Sequence, residues 1–528
     1  MSEENRYFSM RNKSIDFETE EELQNAILIE KTKGISDEEI GKKYGVTFRY
    51  IEKLITKSQG INVSNIGIVK KIKKLYPENF EEEKTTVWSF KKRGSWATHS
   101  GEYRGNWSPY IPRNIILKYS KPGDLVLDYF CGAGTTAVEA KLLGRRCIVL
   151  DINDKAIELA KRKLNFNINI NQQKFFEKDK EIKVYEPELF VGDARNLSFI
   201  SNDSIDLICS HPPYSNIIHY TNGKDGDLSF LDIDDFLKEM TKVAKESYRV
   251  LKPGSKCVIL IGDTRRKKHI IPIGFKLMDV YIKAGFRLKE LIIKVQHNCK
   301  TTGFWYENSI KYNFLLLAHE YLPVFEKPVF NNSQYLNESC EKQFQLIPCY
   351  KRLQLNDRLD KLEATTVWIL NEKDFEESLN KNVICRYAKE DDYLIIILNS
   401  QSSETEIFFL DKNENKKKLL FIKLELSNNN QKFEINNYLE SIKKIIDQHL
   451  GYIEKDGYVV IQAKDIRING YIEPIAKRIV DKIKYENLWL KEIIIVSKNN
   501  KKLEYIDFND KSHLKIVHQY ILVYNKYC

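Results

Sequence analysis

A short proline-rich loop carries the residues of this sequence that are best suited to chemistry. It reads His211-Pro212-Pro213-Tyr214 and directly follows an apolar run that ends at Cys209. Two adjacent prolines fix an extended, rigid backbone. A neutral histidine nitrogen and the Pro212 carbonyl are acceptors for the two protons of an exocyclic amine, and Tyr214 offers a face on which an unpaired base could stack. Such acceptors would hold the amine protons out of plane and localise the nitrogen lone pair for attack on a methyl sulfonium.

A second motif has the form of a ligand-binding turn between a strand and a helix. The apolar run that ends at Asp128 continues through Phe130, Gly132 and Gly134 to Thr135, where a helical pattern begins. Glycines two residues apart let the backbone approach a ligand closely and adopt positive φ. A glycine pair alone occurs in many nucleotide-binding folds, but here the strand, the Asp-x-Phe lead and the helix accompany it. The residues from Asp128 to Thr135 are therefore predicted to bind a cofactor.

Two more carboxylates follow the next apolar runs. Asp151 ends a predicted strand, and an acidic side chain in that place can accept both hydroxyl groups of a ribose. Asp193 follows a further apolar stretch and could reach an adenine amino group. Each carboxylate alone is typical of an ordinary turn at a strand end, but Asp128, Asp151 and Asp193 in this order indicate a nucleoside-containing cofactor.

Apolar runs and helical patterns alternate around these motifs. Strands are predicted at 124–128, 147–151, 205–209 and 256–261, and helices at 135–143, 154–164 and 236–250. This alternation indicates a mainly parallel, doubly wound α/β sheet. Ligands of such sheets bind at the carboxyl ends of the strands, which is where the motifs lie.

The two loops resemble the motifs of the DNA amino-methyltransferase family, whose members transfer a methyl group from S-adenosylmethionine to N6 of adenine or N4 of cytosine. Phe130-x-Gly132-x-Gly134 resembles the cofactor motif of that family. His211 to Tyr214 resembles its catalytic motif, which usually has Asp, Asn or Ser in the first position. The resemblance implies a Rossmann-like methyltransferase sheet, while His211 leaves the choice between adenine and cytosine open.

A stretch before the glycine loop resembles another motif of the same family, which closes over the methionine end of the cofactor. It includes Asn106, Ser108 and Pro109. The resemblance covers residues 85 to 328 and implies a catalytic methyltransferase domain at 85–330 with S-adenosylmethionine as its cofactor.

The amino-terminal residues 1–62 have the pattern of a helix-turn-helix, in which the second helix enters the major groove of DNA. Candidate contacts with bases or phosphates are Thr47, Arg49, Tyr50 and Lys53. A short helical hairpin that packs on its neighbour has the same pattern, so the sequence predicts DNA contact without requiring it.

Two charged stretches lie on either side of the motifs. Residues 63–84 form a connector whose pattern predicts a helix. Arg265, Arg266 and Lys267 follow a predicted strand and could grip DNA phosphates at the mouth of the active site. A solvated loop would have the same composition.

The carboxyl-terminal part of the chain repeats the end of the predicted catalytic domain. The segment 465–526 matches the segment 263–327 in an almost ungapped register. Such self-similarity indicates that 350–528 is a degenerate second copy of the same α/β unit. It lacks a glycine-rich loop, and Asn399-Ser400-Gln401-Ser402 is expected in place of the Pro-Pro loop. We expect this copy to be catalytically inactive and to pack on the first like half of a pseudo-dimer.

Composition limits the remaining possibilities. The chain has 528 residues with 42% hydrophobic content, which indicates two or three packed domains. Its net charge of +10 fits a nucleic-acid partner. An apolar run of membrane-spanning length and a secretory signal are both lacking, so a cytoplasmic protein without membrane contact is expected. The 9 scattered cysteines lack metal-binding spacing, and no metal is expected.

Together these features predict a site-specific methyltransferase of double-stranded DNA, in restriction-modification or defence and with a cognate restriction endonuclease as a partner. Two alternatives stay open. An RNA amino-methyltransferase would carry a similar Pro-Pro-Tyr loop, and a non-catalytic DNA-binding regulator could be built on a retired methyltransferase fold. The expected assembly is a monomer with pseudo-dimeric halves, or a dimer.

Overall fold

The computed structural model describes two α/β units and a small helical unit that precedes them. The described residues are 19–33, 35, 37–46, 50–51, 54, 72, 74–101, 103, 105–168, 183–214, 219–221, 223–266, 268–297, 300–329, 345–348, 362–388, 392–399, 416–425, 435–499 and 513–527. None of the helices within these ranges is long and apolar enough to cross a membrane.

The helical unit contains α1 (Glu20–Thr32) and α2 (Asp37–Tyr44). The Thr19 hydroxyl caps α1 by accepting the amide proton of Glu22 (3.2 Å), which satisfies one of the free donors at a helix start. Apolar side chains spaced along both helices and the following residues meet in a small core of Leu23, Ile27, Ile40, Ile51 and Leu54.

The helix-turn-helix itself stays a prediction, because three of its candidate contacts, Thr47, Arg49 and Lys53, lie outside the described residues. Tyr50 is described, and its hydroxyl donates to the Glu20 carboxylate of α1 (3.2 Å). Within the structure this tyrosine therefore contacts the neighbouring helix.

The described part of the connector, residues 74–84, contains no helix, so the helical prediction is wrong there. Pro77 cannot donate a helical hydrogen bond, and Asn79 has a φ of +50°. The chain instead passes through bends and a turn at 75–79, and the Glu83 amide donates to the Asn114 side chain (2.8 Å).

The first α/β unit begins with an edge strand and then alternates strands with helices. Its elements are β1 (Val87–Ser89), α3 (Tyr110–Tyr119), β2 (Leu125–Asp128), α4 (Thr135–Leu142), β3 (Arg146–Asp151), α5 (Asp154–Leu164), β4 (Glu188–Val191), β5 (Ile205–Ser210), α6 (Ile233–Val250), β6 (Leu251–Ile259), β7 (Ile261–Gly262), β8 (Thr264–Arg266), β9 (His269–Ile271), α7 (Ile273–Lys283), β10 (Arg287–Val295), α8 (Lys300–Lys311) and β11 (His319–Glu326).

These strands form one twisted sheet in the order β4-β3-β2-β5-β6-β11-β10-β1, with β7 also paired to β11. The strands from β4 to β6 are parallel neighbours, whereas β11 runs antiparallel to both β6 and β10. Helices α3, α4 and α5 pack on one face, and α6 and α7 on the other. The predicted doubly wound α/β fold is therefore confirmed, and it brings the carboxyl ends of β2, β3 and β5 together.

The second α/β unit follows in the same order with fewer strands. Its elements are β12 (Gln345–Pro348), β13 (Val367–Leu370), α9 (Phe375–Tyr387), β14 (Tyr393–Asn399), β15 (Lys417–Glu425), α10 (Ile435–His449), β16 (Ile453–Ala463), β17 (Ile466–Ile468), β18 (Tyr471–Glu473), α11 (Ile475–Lys482), β19 (Leu488–Lys498) and β20 (His518–Lys526).

The second sheet has the order β12-β14-β15-β16-β20-β19-β13. Its six strands from β14 to β13 have the same directions as the run β2-β5-β6-β11-β10-β1. This match confirms the degenerate second copy. It also corrects one equivalence, because β14 occupies the place of β2 and β15 that of β5. Asn399 is therefore the last residue of the counterpart of the glycine-loop strand, and Ser400 to Ser402, which come next in the sequence, lie outside the described residues. The error arose because the strand order cannot be seen in the sequence.

Two buried arginine–glutamate pairs join the units. Arg265 pairs with Glu492, and Arg467 pairs with Glu290. Each arginine also donates to one backbone carbonyl of the other unit and to one of its own. Arg265 donates to Lys491 of the other unit and to Leu315, and Arg467 donates to Lys289 of the other unit and to Leu514. Every contact therefore occurs twice with the roles of the units exchanged, as in the interface of a twofold-symmetric dimer.

This interface corrects the prediction that Arg265 grips DNA phosphates. Only 14% of its side chain is exposed, because its guanidinium is engaged with Glu492. Arg266 lies exposed at the end of β8, where a phosphate contact stays a prediction. Lys267 lies outside the described residues.

The symmetry extends to two buried threonine–histidine pairs. The Thr86 hydroxyl lies 2.8 Å from Nδ1 of His518, and the Thr366 hydroxyl lies 2.9 Å from Nδ1 of His319. Between these pairs the apolar faces of α6, α7, α10 and α11 share one hydrophobic core. The two units consequently depend on each other for burial of their apolar surface. We therefore propose that 85–330 and 350–528 are segments of one folded structure and are not stable as separate domains.

We predict that Glu290→Ala and Glu492→Ala destabilise the whole chain by similar amounts. Each would leave a buried arginine without its carboxylate, which costs about 3–5 kcal/mol in comparable pairs. Denaturant unfolding followed by tryptophan fluorescence measures the loss. Glu158→Ala, which removes an exposed partner of Arg162, is the control and should cost less than about 1 kcal/mol. Two independent unfolding transitions, with only one of them moved by Glu290→Ala, would contradict the shared interface.

Candidate active site

An open cleft of about 680 Å³ lies at the carboxyl ends of β2, β3 and β5. Its walls come from the glycine loop after β2, the end of β3, the turn after β4 and the proline loop after β5. The residues of the predicted motifs that line it are Asn106, Phe130, Gly132, Asp151, Asp193, His211 and Pro213. Motifs that are far apart in the sequence thus meet at one site, as expected for this class of sheet.

The glycine loop requires its glycines for two different reasons. Gly132 has a φ of +48°, and a Cβ atom on it would lie 2.9 Å from the ring of Tyr103. Gly134 has a φ of +76° and begins α4, where a Cβ atom would lie 2.9 Å from Cβ of Ala160 in α5. Gly132 therefore shapes the cleft wall, whereas Gly134 lets two helices pack and does not line the cleft.

Asp151 is held in the cleft wall by the backbone. Its two carboxylate oxygens accept protons from the amides of Gly132 and Asn153, each at 2.9 Å. Burial raises the pKa of Asp151 to about 6 in spite of these hydrogen bonds. Only the ionised carboxylate accepts hydrogen bonds from ribose hydroxyl groups at both oxygens, because protonation turns one oxygen into an O–H donor.

Asp193 faces the cleft with a third of its side chain exposed. Its carboxylate accepts from Arg195 (2.6 Å to Nη2), and Arg195 also pairs with Glu239 of α6. The arginine fixes the carboxylate at the cleft edge, where contact with an adenine amino group stays a prediction.

Asp128 does not line the cleft, which corrects its assignment as a cofactor contact. It is 2% exposed, and its carboxylate accepts from the hydroxyl groups of Ser210 and Thr136, both at 2.6 Å. Burial raises the pKa of Asp128 to about 6. Because these partners lie at the ends of β5 and α4, Asp128 supports both active-site loops from behind.

Of the three residues predicted in the stretch before the glycine loop, Asn106, Ser108 and Pro109, only Asn106 lines the cleft. The Thr135 hydroxyl bonds to the Asn106 side chain. The Ser108 hydroxyl donates to the carbonyl of Arg93 (2.8 Å), and Pro109 begins α3. The cofactor contacts predicted for Thr135, Ser108 and Pro109 are therefore corrected to support of the wall, since none of the three lines the cleft.

The proline loop is tied to two strands by a chain of polar contacts. Nε2 of His211 lies 2.8 Å from the Tyr214 hydroxyl, which donates to the Glu320 carboxylate of β11 (2.8 Å). The second carboxylate oxygen of Glu320 accepts from Lys294 of β10 (2.7 Å). Glu320 is far from the catalytic loop in the sequence and was not among the predicted site residues, so its contact with the loop was missed.

Burial decides the charge of the histidine. It lowers the pKa of His211 to about 4 and outweighs both the Glu320 charge and the Gly105 carbonyl, which favour a second ring proton. Burial alone would raise the pKa of Glu320, but Lys294 and the hydrogen bonds hold it at about 2. At neutral pH the site therefore contains a neutral imidazole next to an ionised carboxylate.

The rings around the loop differ from those expected. The indole of Trp107 stacks on the His211 ring, with centroids 5.5 Å apart and planes at 23°. Pro212 is buried, and Tyr214 lies behind the cleft lining with its hydroxyl engaged. Trp107 was the missed aromatic residue, and its position between Asn106 and Ser108 in a quoted motif was the available signal. Among the described residues, no group of three His, Cys, Asp or Glu side chains is placed to hold a metal ion.

Known proteins that resemble this chain are methyltransferases, in agreement with the geometry of the cleft. A family model described as DNA methylase matches residues 7–162 and 205–418, together more than half of the chain. A second model, described as RMKL-like, methyltransferase domain, matches residues 116–261. The chain belongs to the DNA methylase family, whose amino-methyltransferases use S-adenosylmethionine as methyl donor.

Curated relatives match over shorter stretches. A Type II methyltransferase, M2.LlaDCHI of Lactococcus lactis subsp. cremoris, is 41% identical over 75 residues, which are 14% of this chain and 27% of the relative. M2.DpnII of Streptococcus pneumoniae is 40% identical over 74 residues, 14% of this chain and 26% of the relative. A tRNA (guanine(10)-N2)-dimethyltransferase of Methanothermobacter thermautotrophicus is 30% identical over 113 residues, 21% and 29% of the two chains. The chain thus spans about a quarter of the length of the relatives it matches.

Among solved structures, a SAM-dependent methyltransferase from Methanosarcina mazei aligns with 41% of this chain and 98% of its own length. The TM-score is 0.28 and the sequence identity 18%.

The described residues fit S-adenosylmethionine. Gly132 leaves space that a Cβ atom would fill, and the Asp151 carboxylate faces the same cleft. Gly226, with a φ of +85°, likewise keeps the wall open beside Asp193. Close backbone approach and carboxylate acceptors are what the ribose and adenine of this cofactor require.

We predict that Asp151→Asn weakens binding of S-adenosylhomocysteine about tenfold or more, because hydrogen bonds to a charged group contribute about 1.5–3 kcal/mol. Wild-type affinity should fall as the pH drops through about 6, where Asp151 takes up a proton, and should be constant above about 7. The variant should lose this pH dependence. Titration calorimetry at several pH values measures both effects, with the exposed Asp154→Asn as the control. Equal pH dependence in Asp151→Asn and the wild type would contradict the assignment.

Proposed function

We propose that the protein transfers a methyl group from S-adenosylmethionine to the exocyclic amino group of adenine (N6) or cytosine (N4) in double-stranded DNA. The observation that carries this proposal is the meeting of the His211 loop and the glycine loop in one cleft. Membership of the DNA methylase family supports the same reaction.

When bound, S-adenosylmethionine supplies an electrophilic methyl group on a sulfonium. The amino nitrogen of the base forms the new N–C bond as the S–C bond breaks, and the amine then loses one proton to solvent. A neutral nitrogen of His211 and the Pro212 carbonyl accept hydrogen bonds from the amine, which localises its lone pair on the nitrogen. No covalent intermediate with the enzyme is needed, and Cys209 lies fully buried within β5.

The target base reaches this cleft only after leaving the duplex, since chemistry on a paired base requires flipping. Trp107 already stacks on His211 and provides an aromatic wall beside the acceptors. Tyr214 supports the loop through its hydroxyl and is proposed to lend its ring to the base only after a rearrangement, because it does not line the cleft.

The other parts of the proposal concern recognition and setting. The amino-terminal helices are proposed to contact DNA, and the second α/β unit, which lacks a glycine loop, is proposed to clamp or read it without catalysis. We further propose that the protein acts in the cytoplasm, together with a cognate restriction endonuclease. The Type II methyltransferases among the relatives favour this part of the proposal.

RNA is the second candidate substrate, because one relative is a tRNA methyltransferase. The decisive experiment expresses the protein in cells without related methylases and applies methylation-aware sequencing to their DNA. Modified adenines or cytosines in one sequence context would support the proposal and identify the base. Methylation of tRNA with unmodified DNA would reverse the choice of substrate, and failure to bind S-adenosylmethionine would favour a regulator.

We predict that His211→Ala lowers methylation at least about 100-fold while S-adenosylhomocysteine affinity changes little, because the variant removes an acceptor for the amine. His211→Asn should retain more activity, since its amide oxygen can also accept. Single-turnover methylation and calorimetry measure the two quantities. Activity in His211→Ala equal to that of the wild type would mean that the Pro212 carbonyl acts without the histidine.

A further inference from the structure

Strand β11 brings a buried carboxylate behind the catalytic loop. Glu320 is 6% exposed and lies opposite Lys294 of β10 in the sheet register. On its other side it lies opposite Gly262 of β7. The carboxylate thus stands between a lysine on one strand and the Tyr214 hydroxyl of the catalytic loop.

The direction of the hydrogen bonds between His211, Tyr214 and Glu320 follows from the number of protons that each side chain can donate. An ionised Glu320 can only accept, so the single proton of the Tyr214 hydroxyl points to it. The Tyr214 oxygen must then accept from Nε2 of His211, which places a ring proton on that nitrogen. In a neutral imidazole the other nitrogen, Nδ1, is left as an acceptor. The tautomer that can accept an amine proton is therefore set by Glu320 through Tyr214.

The space for this contact is provided by a glycine. A Cβ atom on Gly262 would lie 2.9 Å from Cε2 of Tyr214 and 3.5 Å from Cγ of Glu320. The backbone of Gly262 does not have a positive φ, so a glycine is needed here because the ring of Tyr214 approaches the strand closely. A larger residue would push Tyr214 away from the carboxylate.

The second unit contains the same strands without this chain of contacts. Gln519 takes the place of Glu320, and it lies opposite Val496, where the first unit has Lys294. Lys464 precedes Asp465, where Gly262 precedes Asp263. By contrast, the neighbours His518 and Tyr520 match His319 and Tyr321 and make the same mutual hydrogen bond.

Two glutamates of β11 have no counterpart carboxylate in the second unit, since Gln519 replaces Glu320 and Asn525 replaces Glu326, and of these two only Glu320 contacts the catalytic loop. A carboxylate needed only for strand pairing or for the interface would be expected in both units, as Glu290 and Glu492 are. Glu320 is present in the first unit alone and bonds to Tyr214 of the His211-Pro212-Pro213-Tyr214 loop, which the second unit lacks, so the contact with this loop is what points to its role.

From this geometry we propose that Glu320 is a positioning residue. It acts through Tyr214 to hold His211 in the tautomer that can accept a hydrogen bond from the amine. The proposal rests on the proposed function of the cleft, and it assigns no direct contact between Glu320 and either substrate. The groups that surround His211 in this arrangement are Trp107, Tyr214, Glu320, Lys294, Arg93 and the backbone carbonyl of Gly105, which favours a proton on the ring.

The first test compares two glutamates on the same strand. Glu320→Gln introduces the residue type that the second unit has, and Glu326→Gln is the matched control. Glu326 is also buried and also bonds a lysine and a tyrosine, Lys256 and Tyr471, but it lies at the other end of β11. Glu320→Gln should lower the single-turnover methylation rate about tenfold or more, as loss of a supporting partner does in other sites. Glu326→Gln should keep the wild-type rate, and both variants should keep S-adenosylhomocysteine affinity.

The second test has a readout besides activity. NMR of ring-¹⁵N-labelled histidine, with His211→Asn to assign the signal, should show a neutral ring protonated at Nε2 in the wild type and in Glu326→Gln. In Glu320→Gln the signal should change to the Nδ1–H form or to a mixture. Tyr214→Phe breaks the same chain without leaving Lys294 unpaired, so it serves if Glu320→Gln does not fold.

The outcomes separate the two proposals. Absence of methylation by the wild type, together with the expected tautomer change, would overturn the proposed function and leave the positioning role standing. An unchanged His211 tautomer in both Glu320→Gln and Tyr214→Phe would overturn the positioning role. Equal rate losses in Glu320→Gln and Glu326→Gln would also overturn it, because they would indicate a general effect of losing a buried carboxylate.

Discussion

The alternation of side chains along strand β11 is the constraint on which the rest of the structure depends. Successive residues of a strand point to opposite faces, so His319 and Tyr321 face one way and Glu320 the other. His319 reaches Thr366 of the second unit, whereas Glu320 reaches the catalytic loop. A shift of this strand by one residue would exchange the two faces and break the interface and the active site together.

This arrangement explains why the second unit has kept its fold without its chemistry. Arg467 and Glu290 form one of the two pairs that close the interface, and each pair needs a residue from either unit. The shared core between α7 and α11 would be exposed if one unit were removed. Removing the second unit is therefore a poor test of its role in DNA binding, because the catalytic unit would lose its stability at the same time.

Much of the fold was predictable because it depends on local patterns. Apolar runs and glycine spacing gave the strands around Asp151 and His211, and the repeat gave the second unit. Strand order was not predictable, since the pairing of β14 depends on contacts that are distant in the sequence, and Asn399 was consequently assigned to the wrong loop.

The place of a residue in the active site was predictable where its type and its position after a strand are enough to determine its contacts, as for Gly132. It was not predictable where a side chain turns away from the ligand. Asp128 follows a strand like Asp151 but bonds to Ser210 inside the protein. Arg265 is in a basic run but is used by the interface, and Glu320 lies more than a hundred residues after the loop it supports.

The chain contains two related units, and the proposed site for chemistry lies in the first of them. The most direct measurement is the stoichiometry of S-adenosylhomocysteine binding in titration calorimetry on the full chain of 528 residues. One cofactor per chain, lost in a variant of the glycine loop such as Gly132→Val, is the predicted result. Two bound cofactors per chain would show that the second unit has kept a site, and none would show that the cleft does not serve this cofactor; either result would contradict the account.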